Sequence, residues 1–308
     1  MLSRVIRGHE FVSRVVEKGA KVAESLELGD LVVVEPLRGC GVCTFCNDGK
    51  FVLCESGCDI VGVFSDGGLC EEIVLPDTLL YKVPPSMKPE VAVLVEPVAV
   101  VVHAFRKIEH QLKLKLKNDR LKREEKVLIQ GGGTLGILSI LLAKLHGFER
   151  VFLSARYEFQ KNIAKKLAET IGITLHVMET KEKVKADIVI ETVGGSASTA
   201  KEAVESCQNG AILLLLGIFD DELVKSQNHF PSMLQIVVKE LIILGSNCYD
   251  RSSPKADFDE SIAILLEHGE ALSSLLISHI VDFNDAAKAF EYAASKDHHG
   301  AMKVVVKM

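Results

Sequence analysis

A glycine-rich turn between a strand-like run and a helical pattern constrains the fold of this chain more than any other feature. Residues 126–130 read as a short buried strand, whereas residues 137–145 have the composition of a helix. The glycines between them fit G-x-G-x-x-G, in which the first permits a tight turn, the second lets backbone approach a pyrophosphate and the third allows close helix packing. The helix N-terminus adds free N–H groups and a positive dipole end. We predict dinucleotide contacts at Gly131, Gly132, Gly133, Thr134, Leu135 and Gly136.

Strand and helix patterns alternate after this turn. The strands are apolar throughout instead of alternating, as expected for a parallel sheet that is covered on both faces. Predicted strands lie at residues 126–130, 151–154, 173–177, 186–190, 211–216 and 241–245. Predicted helices lie at residues 134–146, 158–171, 196–208 and 231–239. The pattern therefore predicts an α/β fold with a doubly wound parallel sheet of the Rossmann type, in a domain of residues 97–246.

The first 96 residues differ in character, because they are rich in valine, glycine and turn residues. Short runs at residues 31–34 and 72–75 predict strands in a mainly β domain with long loops. Beyond residue 245 the alternation stops, and the remaining elements are predicted to be two helices and a strand, at 255–268, 284–294 and 302–307. We expect this last segment to return to the first domain, which then comprises residues 1–96 and 247–308.

Composition and charge exclude several classes of protein. The chain has 308 residues and a formal net charge of −6, which gives no electrostatic support for a nucleic-acid partner. No run approaches the roughly 20 apolar residues that a membrane span needs, and residues 1–7 contain no apolar core of a signal peptide. We therefore expect a cytoplasmic protein without nucleic-acid or membrane partners. In that compartment its eight cysteines are more often ligands or free thiols than disulfides.

Four of the cysteines are close together, with the spacing C-x2-C-x2-C-x7-C. Glycines nearby permit the loop to reverse, so four thiolates on one short lobe can form a tetrahedral shell around Zn²⁺. A shell of four protein ligands leaves no position for water, which indicates a structural site. We therefore predict a structural zinc in a lobe of residues 38–56, bound by Cys40, Cys43, Cys46 and Cys54.

A second group of candidate ligands is less regular. His9 and Glu10 follow Gly8, and Glu96 lies within residues 91–102, which are almost wholly apolar. A buried carboxylate requires a cation or a metal as its partner. His9 and Glu96 are therefore candidate zinc ligands of the catalytic kind, in which the protein leaves coordination positions open.

These motifs and their order resemble the zinc-dependent medium-chain alcohol dehydrogenases and reductases, in particular the polyol (sorbitol) and threonine dehydrogenase branch. The resemblance covers essentially the whole chain. It implies a mainly β GroES-like catalytic domain combined with a Rossmann domain. It rests on Gly-His-Glu at 8–10, the four-cysteine lobe, Asp-Gly-Gly at 66–68, Glu-Pro-Val-Ala-Val at 96–100, His-Ala at 103–104, the glycines at 131–136, Asp-Ile-Val-Ile-Glu at 187–191 and Lys-Val-Val-Val-Lys at 303–307.

The resemblance also implies an activity, namely hydride transfer between NAD(P) and a secondary alcohol such as a polyol or a related hydroxy compound. By this resemblance His9 and Glu96 hold a catalytic zinc, which acts as a Lewis acid on the substrate oxygen, and Glu10 is a neighbouring group or alternate ligand. Ile218 and Asn247 match backbone positions that line the nicotinamide. Family members are usually dimers or tetramers, so we expect a homo-oligomer.

One part of the family pattern is not found in this sequence. In the family, a cysteine ligand and a Ser or Thr that relays the proton precede Gly-His-Glu by a substantial segment, whereas seven residues precede Gly8 here. We therefore expect the catalytic set of His9 and Glu96 to be incomplete, because of an internal start or because the chain is a natural remnant. The alternative to an enzyme is a non-catalytic protein of this family that binds nucleotide and structural zinc.

The end of the second Rossmann strand indicates the choice of cofactor. An NAD-specific domain places an acid there, about 20 residues beyond the glycines, to bind the ribose 2′-OH. Here Ala155 and Arg156 follow the strand, and a guanidinium binds phosphate through paired, charge-assisted hydrogen bonds. We therefore predict NADP(H) in preference to NAD(H), with Arg156 at the 2′-phosphate. In the alternative, Glu158 binds the 2′-OH and Arg156 faces solvent.

Overall fold

The protein is represented by a computed structural model that describes residues 5–115, 123–219, 232–252 and 255–308. The chain divides into two units. One combines Met1–Val102 with Cys248–Met308, and the other is His103–Asn247. Among the described residues, no helix combines the length and the apolar character that crossing a bilayer requires.

The segment up to Val102 has short strands joined by long loops. Its strands are β1 (Val12–Arg14), β2 (Leu31–Val34), β3 (Leu37–Arg38), β4 (Asp59–Ile60) and β5 (Leu80–Lys82). β1, β2 and β5 form an antiparallel sheet, and β3 pairs with β4. The helices that begin in this segment are α1 (Thr44–Asn47), α2 (Pro89–Ala92) and α3 (Val95–Lys115).

The predicted strand at residues 72–75 is wrong, because this segment pairs with no strand among the described residues. Ile73 and Leu75 instead pack singly on a small core of Val34, Val61 and Leu79. Val74 between them is 98% exposed. The apolar run therefore reflects docking of an extended loop, through alternate side chains, on the core and not a backbone ladder.

The unit His103–Asn247 is built on a six-stranded sheet in which all neighbouring strands are parallel. Its strands are β6 (Arg123–Gln130), β7 (Phe148–Ser154), β8 (Leu175–Val177), β9 (Ala186–Glu191), β10 (Cys207–Leu215) and β11 (Ile242–Gly245). The helices between them are α4 (Thr134–Leu145), α5 (Glu158–Ile171), α6 (Ala197–Ser206) and α7 (Met233–Val238). The strand order β11-β10-β9-β6-β7-β8 is that of the doubly wound fold and confirms the predicted fold class.

The central strands of this sheet are buried on both faces, which explains their uninterrupted apolar sequence. Val127, Leu128 and Ile129 of β6 are at most 2% exposed. Val189 and Ile190 of the neighbouring β9 are fully buried. Such strands show no period of two, and only the glycines and polar residues at their ends mark the boundaries.

The segment from Cys248 belongs to the same unit as the first segment. Its elements are α8 (Asp257–Leu276), β12 (Ile277–Asp282), α9 (Ala286–Ala294), α10 (Lys296–His299) and β13 (Lys303–Lys307). β13 confirms the predicted final strand, and it pairs in parallel with β12, which was not predicted. Helix α8 was predicted to end at residue 268 but continues to Leu276. A Cβ at Gly269 would lie 2.2 Å from Val91 Cγ1, so this glycine serves close packing on α2 and not helix termination.

Arg251 connects this last segment to the first sheet and to the cysteine lobe. Its Nε donates to Glu35 Oε2 over 2.7 Å, and its Nη2 donates to Thr78 O over 2.8 Å. The guanidinium lies 5.0 Å from the ring centroid of Phe51 and 5.6 Å from that of Tyr81. Arg251 therefore joins parts of the unit that are far apart in sequence through one charged group.

Candidate functional site

The glycine-rich turn joins β6 to α4 at the carboxyl end of the sheet. Gly131 N donates to Ser154 O over 2.8 Å, which fixes the turn against the end of β7. A Cβ at Gly136 would lie 1.9 Å from Gly131 O, so only glycine permits this approach of helix and turn. At Gly133 a Cβ would meet no atom within 4 Å, and no side chain caps the first turn of α4. The turn thus presents open space and free N–H groups, as a pyrophosphate requires.

Two other predicted cofactor residues, Ile218 and Asn247, follow the carboxyl ends of β10 and β11. β6 and β9 are neighbours where the strand order reverses, the position at which doubly wound sheets bind ligands. Thr192, directly after β9, donates from N and from Oγ1 to Gln130 O, over 2.9 Å in each case. Gly195 N donates to Ile218 O over 2.7 Å, which joins the loops after β9 and β10. Ile218 is 85% exposed, and Asn247 beyond β11 is also exposed.

Arg156 and its alternative, Glu158, lie at the junction of β7 and α5. Arg156 is exposed, and its guanidinium is 5.5 Å from the ring centroid of Tyr157. Glu158 forms an ion pair with Lys161 over 3.7 Å. The structure thus places a cation directly after the strand and gives the nearby carboxylate a lysine partner.

The four cysteines of the lobe come together around one point. Their four Sγ atoms lie within 4.8 Å of one another, and all four residues are free thiols, namely Cys40, Cys43, Cys46 and Cys54. Backbone amides point at these sulfurs, with Cys40 N at 3.2 Å from Cys54 Sγ and Cys43 N at 3.4 Å from Cys40 Sγ. Cys46 and Cys54 are buried, whereas Cys40 is exposed.

The electrostatics of the lobe favour thiolates at its outer ligands. Hydrogen bonds from the amides of Val42 and Cys43 lower the pKa of Cys40 to about 6. The amides of Glu55 and Cys46 lower the pKa of Cys43 in the same way. Burial instead raises the pKa of Cys46 to about 12. Because zinc binds thiolates, amides aimed at sulfur together with four converging Sγ atoms fit a tetrahedral zinc.

His9, Glu10 and Glu96 form the second group. Each of the three offers one ligand atom, and these atoms lie within 4.8 Å of one another. Glu96, in the first turn of α3, is 9% exposed, whereas the His9 side chain is 43% exposed. Glu10 Oε1 lies 3.9 Å from His9 Nε2, and Glu10 Oε2 forms an ion pair with Lys303 of β13. The structure therefore places Glu10, which the resemblance gives as a neighbouring group or alternate ligand, beside the candidate ligands His9 and Glu96.

Burial and charge set the protonation of this group. Burial raises the pKa of Glu96 to about 7, and the hydroxyl of Tyr249 beside it opposes this rise. Burial, followed by the charge of Lys303, lowers the pKa of His9, which favours the neutral imidazole that binds metals. Burial also lowers the pKa of Lys303 to about 8. A neutral imidazole and two carboxylates are a ligand set that zinc accepts.

Three residues of this unit carry contacts that the sequence did not assign. Tyr249 faces Glu96, Lys303 binds Glu10 and Arg251 binds Glu35. All three come from the last segment of the chain, far from their partners in sequence. The burial predicted for Glu96 indicated that this acid has a partner, but no local pattern links Tyr249, Lys303 or Arg251 to a particular acid.

Comparisons with known proteins agree with this architecture. Residues 3–85 match the alcohol dehydrogenase GroES-like domain, and residues 89–308 match the glucose dehydrogenase C-terminus. A zinc-type alcohol dehydrogenase-like protein of Haemophilus influenzae is 30% identical over 286 residues, which are 90% of this chain and 74% of that protein. The L-threonine 3-dehydrogenase of Pyrococcus furiosus is 30% identical over 247 residues, which are 78% of this chain and 65% of that protein. Galactitol-1-phosphate dehydrogenase from Escherichia coli is 26% identical in sequence. Its crystal structure matches with a TM-score of 0.77, over 98% of this chain and 83% of that one.

The fold defines a class of protein in which a Rossmann unit is combined with a GroES-like unit, and in the latter unit two groups of side chains could hold a metal ion. Within this class, the chain belongs to the zinc-type medium-chain alcohol and polyol dehydrogenase family.

Proposed function

We propose that this chain is a zinc-dependent oxidoreductase that transfers a hydride between a nicotinamide cofactor and a secondary alcohol, such as a polyol or a related hydroxy compound. One observation carries the proposal: His9, Glu10 and Glu96 bring three zinc-type ligand atoms within 4.8 Å of one another. Two relatives support the substrate class, since their names refer to threonine and to galactitol 1-phosphate, both of which carry secondary hydroxyl groups.

The residues of the candidate site have distinct roles in this proposal. A zinc ion held by His9, Glu96 and Glu10 would supply Lewis-acid chemistry at the substrate oxygen. Lys303 binds one carboxylate oxygen of Glu10 and so leaves the other facing His9. In the Rossmann unit, Gly133 and the N-terminus of α4 would hold the pyrophosphate of the cofactor.

The test is a steady-state assay of the purified chain, with added zinc, on a panel of polyols and hydroxy amino acids with NAD⁺ and NADP⁺. Formation of reduced nicotinamide with at least one substrate supports the proposal. Absence of turnover in a chain that binds both zinc and nucleotide contradicts it and favours a non-catalytic member of the family.

We expect one firmly held zinc and one exchangeable zinc per chain. Four thiolates bind zinc more firmly than one imidazole and two carboxylates. Metal analysis after dialysis should therefore give about one zinc per chain, and titration with added zinc should fill a second, weaker site. Retention of two zincs through dialysis contradicts the difference in affinity. A Cys46→Ala variant should lose the firmly held ion, whereas Cys207→Ala, at a buried cysteine of β10, should not.

We also propose NADP(H) as the preferred cofactor, because a cation and no acid directly follows β7. Replacement of Arg156 by alanine should weaken NADPH binding by about tenfold, since a charge-assisted hydrogen bond contributes roughly 1.5–3 kcal/mol. The affinity for NADH should stay unchanged. Fluorescence titration with both cofactors measures the effect, and Lys165→Ala, at an exposed cation on α5, is the matched control. Equal loss for NADH and NADPH, or no loss, argues for Glu158 at the 2′-OH.

A homo-oligomer, as a dimer or tetramer, is supported by an exposed apolar surface next to the sheet edge. Four side chains of α7 are each about 70% exposed, namely Met233, Leu234, Val237 and Val238. The helix precedes β11, which lies at the edge of the described sheet, and an unpaired edge invites association.

A cytoplasmic location is supported by eight free cysteines without a disulfide among the described residues.

A further inference from the structure

Glu191 is a fully buried carboxylate at the carboxyl end of β9. It has no role in the reaction proposed above. Its register partner on β6 is Gln130, so it lies where the strand order of the sheet reverses. A carboxylate without solvent is costly unless hydrogen bonds or cations offset the loss of water. The contacts of Glu191 therefore indicate what the residue stabilises.

Glu191 binds two separate loops through its two acceptor groups. The side-chain oxygen Oε1 accepts hydrogen bonds from Val193 N and Gly194 N, both over 2.9 Å. The main-chain oxygen accepts from Leu216 N over 2.9 Å and from Gly217 N over 3.0 Å. One residue thus holds both the loop that follows β9 and the loop that follows β10.

The two loops also interlock with each other. Gly195 N donates to Ile218 O over 2.7 Å, and Gly195 forms a parallel bridge with Phe219. A Cβ at Gly194 would lie only 2.3 Å from Ile218 O. The second carboxylate oxygen of Glu191 is buried against Gly217, where a Cβ would lie 2.5 Å from it. Little space remains for these loops to shift independently.

Thr192, the next residue, serves the other side of the site. Its N and Oγ1 donate to Gln130 O, directly before the glycine turn. Thr192 therefore supports the turn proposed to hold the pyrophosphate. The Glu191 carboxylate instead holds the loop of Val193 and Gly194, which interlocks with the loop that carries Ile218. Burial raises the pKa of Glu191, while the amides of Gly194 and Val193 oppose the rise, in agreement with a carboxylate held for its acceptors.

We propose that Glu191 is a positioning residue for the nicotinamide half of the cofactor, and that the adenosine-diphosphate half does not depend on it. The proposal rests on the proposed function, since that reaction requires a nicotinamide cofactor, and the family resemblance places the nicotinamide at Ile218. Without the Oε1 acceptor, two loop amides lose their partner and the loops must be ordered again when nicotinamide binds.

The test compares Glu191→Ala and Glu191→Gln with the unmodified chain by isothermal titration calorimetry. The probes are NADPH and NADH, together with 2′-phospho-ADP-ribose and ADP-ribose, which lack the nicotinamide. Glu191→Ala should weaken binding of the complete cofactors about tenfold and leave the fragments within about twofold. Glu191→Gln keeps an acceptor oxygen and should restore most of the affinity. Glu169→Ala, at an exposed acid on α5, should change neither.

Equal weakening of cofactors and fragments by Glu191→Ala would overturn the proposal, because it indicates a general structural role. Failure of Glu191→Gln to restore binding would overturn it as well. If the alanine variant does not fold, Glu191→Met replaces it: its side chain has a similar length but lacks a carboxylate oxygen for the amides, and it should show the same selective loss. An unmodified chain that binds neither fragments nor cofactors would instead overturn the proposed function, and the role of Glu191 with it.

Discussion

Replacement of Glu96 by glutamine is expected to lower kcat/KM of the zinc-supplemented chain by about a thousandfold. Lewis-acid stabilisation of charge at the reacting oxygen contributes several kcal/mol, and about 1.4 kcal/mol corresponds to a factor of ten in rate. Glutamine keeps the volume of this buried side chain and removes its negative charge, so zinc is bound more weakly and in a changed environment. Steady-state kinetics and zinc titration of the same preparation measure both effects.

The matched control for this experiment is Glu71→Gln, at an exposed acid of the same unit. It should retain the activity and both zinc sites of the unmodified chain. A Glu96→Gln variant that keeps the activity within about threefold would remove Glu96 from the reaction. Loss of activity together with the four-cysteine zinc would show instead that the substitution disrupts the whole unit.

Replacement of Arg251 by methionine is expected to lower the free energy of unfolding of its unit by about 3 kcal/mol at neutral pH, since breaking a buried ion pair strands the remaining charge. The stranded group is Glu35, whose side chain is 1% exposed, against 26% for Arg251. Urea unfolding followed by tyrosine fluorescence measures the change. The chain has four tyrosines and no tryptophan, and Tyr157 is the one that lies in the Rossmann unit.

The pH dependence distinguishes a stranded charge from lost packing. Burial raises the pKa of Glu35 despite the charge and hydrogen bond of Arg251 and the hydroxyl of Tyr81, and the charge of Asp257 acts in the same direction as burial. A raised pKa in the folded state means that the stability is present at acid pH and is lost as the pH rises through that value. Removal of Arg251 raises the pKa of Glu35 further, so the deficit should be small near pH 5 and grow toward pH 7.

A double variant, Glu35→Gln with Arg251→Met, should recover part of the lost stability, because it leaves no buried charge. A deficit that is the same at every pH, or that the double variant does not reduce, would mean that Arg251 stabilises the unit mainly through its contacts with Phe51 and Tyr81.

The Rossmann fold was predictable because its signals are local. The glycine turn before α4 and the uninterrupted apolar strands need no information from distant residues. The GroES-like unit was harder, because its strands are short and its last segment packs on its first. The prediction of a strand at 72–75 was wrong because a short apolar run occurs in a docked loop as well as in a strand. The predicted end of α8 at residue 268 was too early. A glycine ends some helices, whereas Gly269 allows α8 to pack closely on α2.

The same difference between local signals and distant contacts applies to the candidate sites. Cys40, Cys43, Cys46 and Cys54 lie within one short segment, so their spacing alone predicts that they meet. His9 and Glu96 are far apart in the sequence, so their residue types made them candidate ligands, and the family resemblance added the expectation that they are neighbours. The partners of Glu96, Glu35 and Glu10 could not be assigned, since they depend on the return of the last segment to the first. They are Tyr249, Arg251 and Lys303.

That return has a consequence for synthesis on the ribosome. Glu10, Glu35 and Glu96 emerge early, whereas Lys303, Arg251 and Tyr249 emerge only after the whole Rossmann unit has been translated. Domains generally fold as units while the chain grows, and a local cysteine cluster can take up its metal at once. A chain that folds in the order of its synthesis would therefore bring the four cysteines together first and form the parallel sheet second. Glu10, Glu35 and Glu96 would gain these partners only after the last segment has been translated.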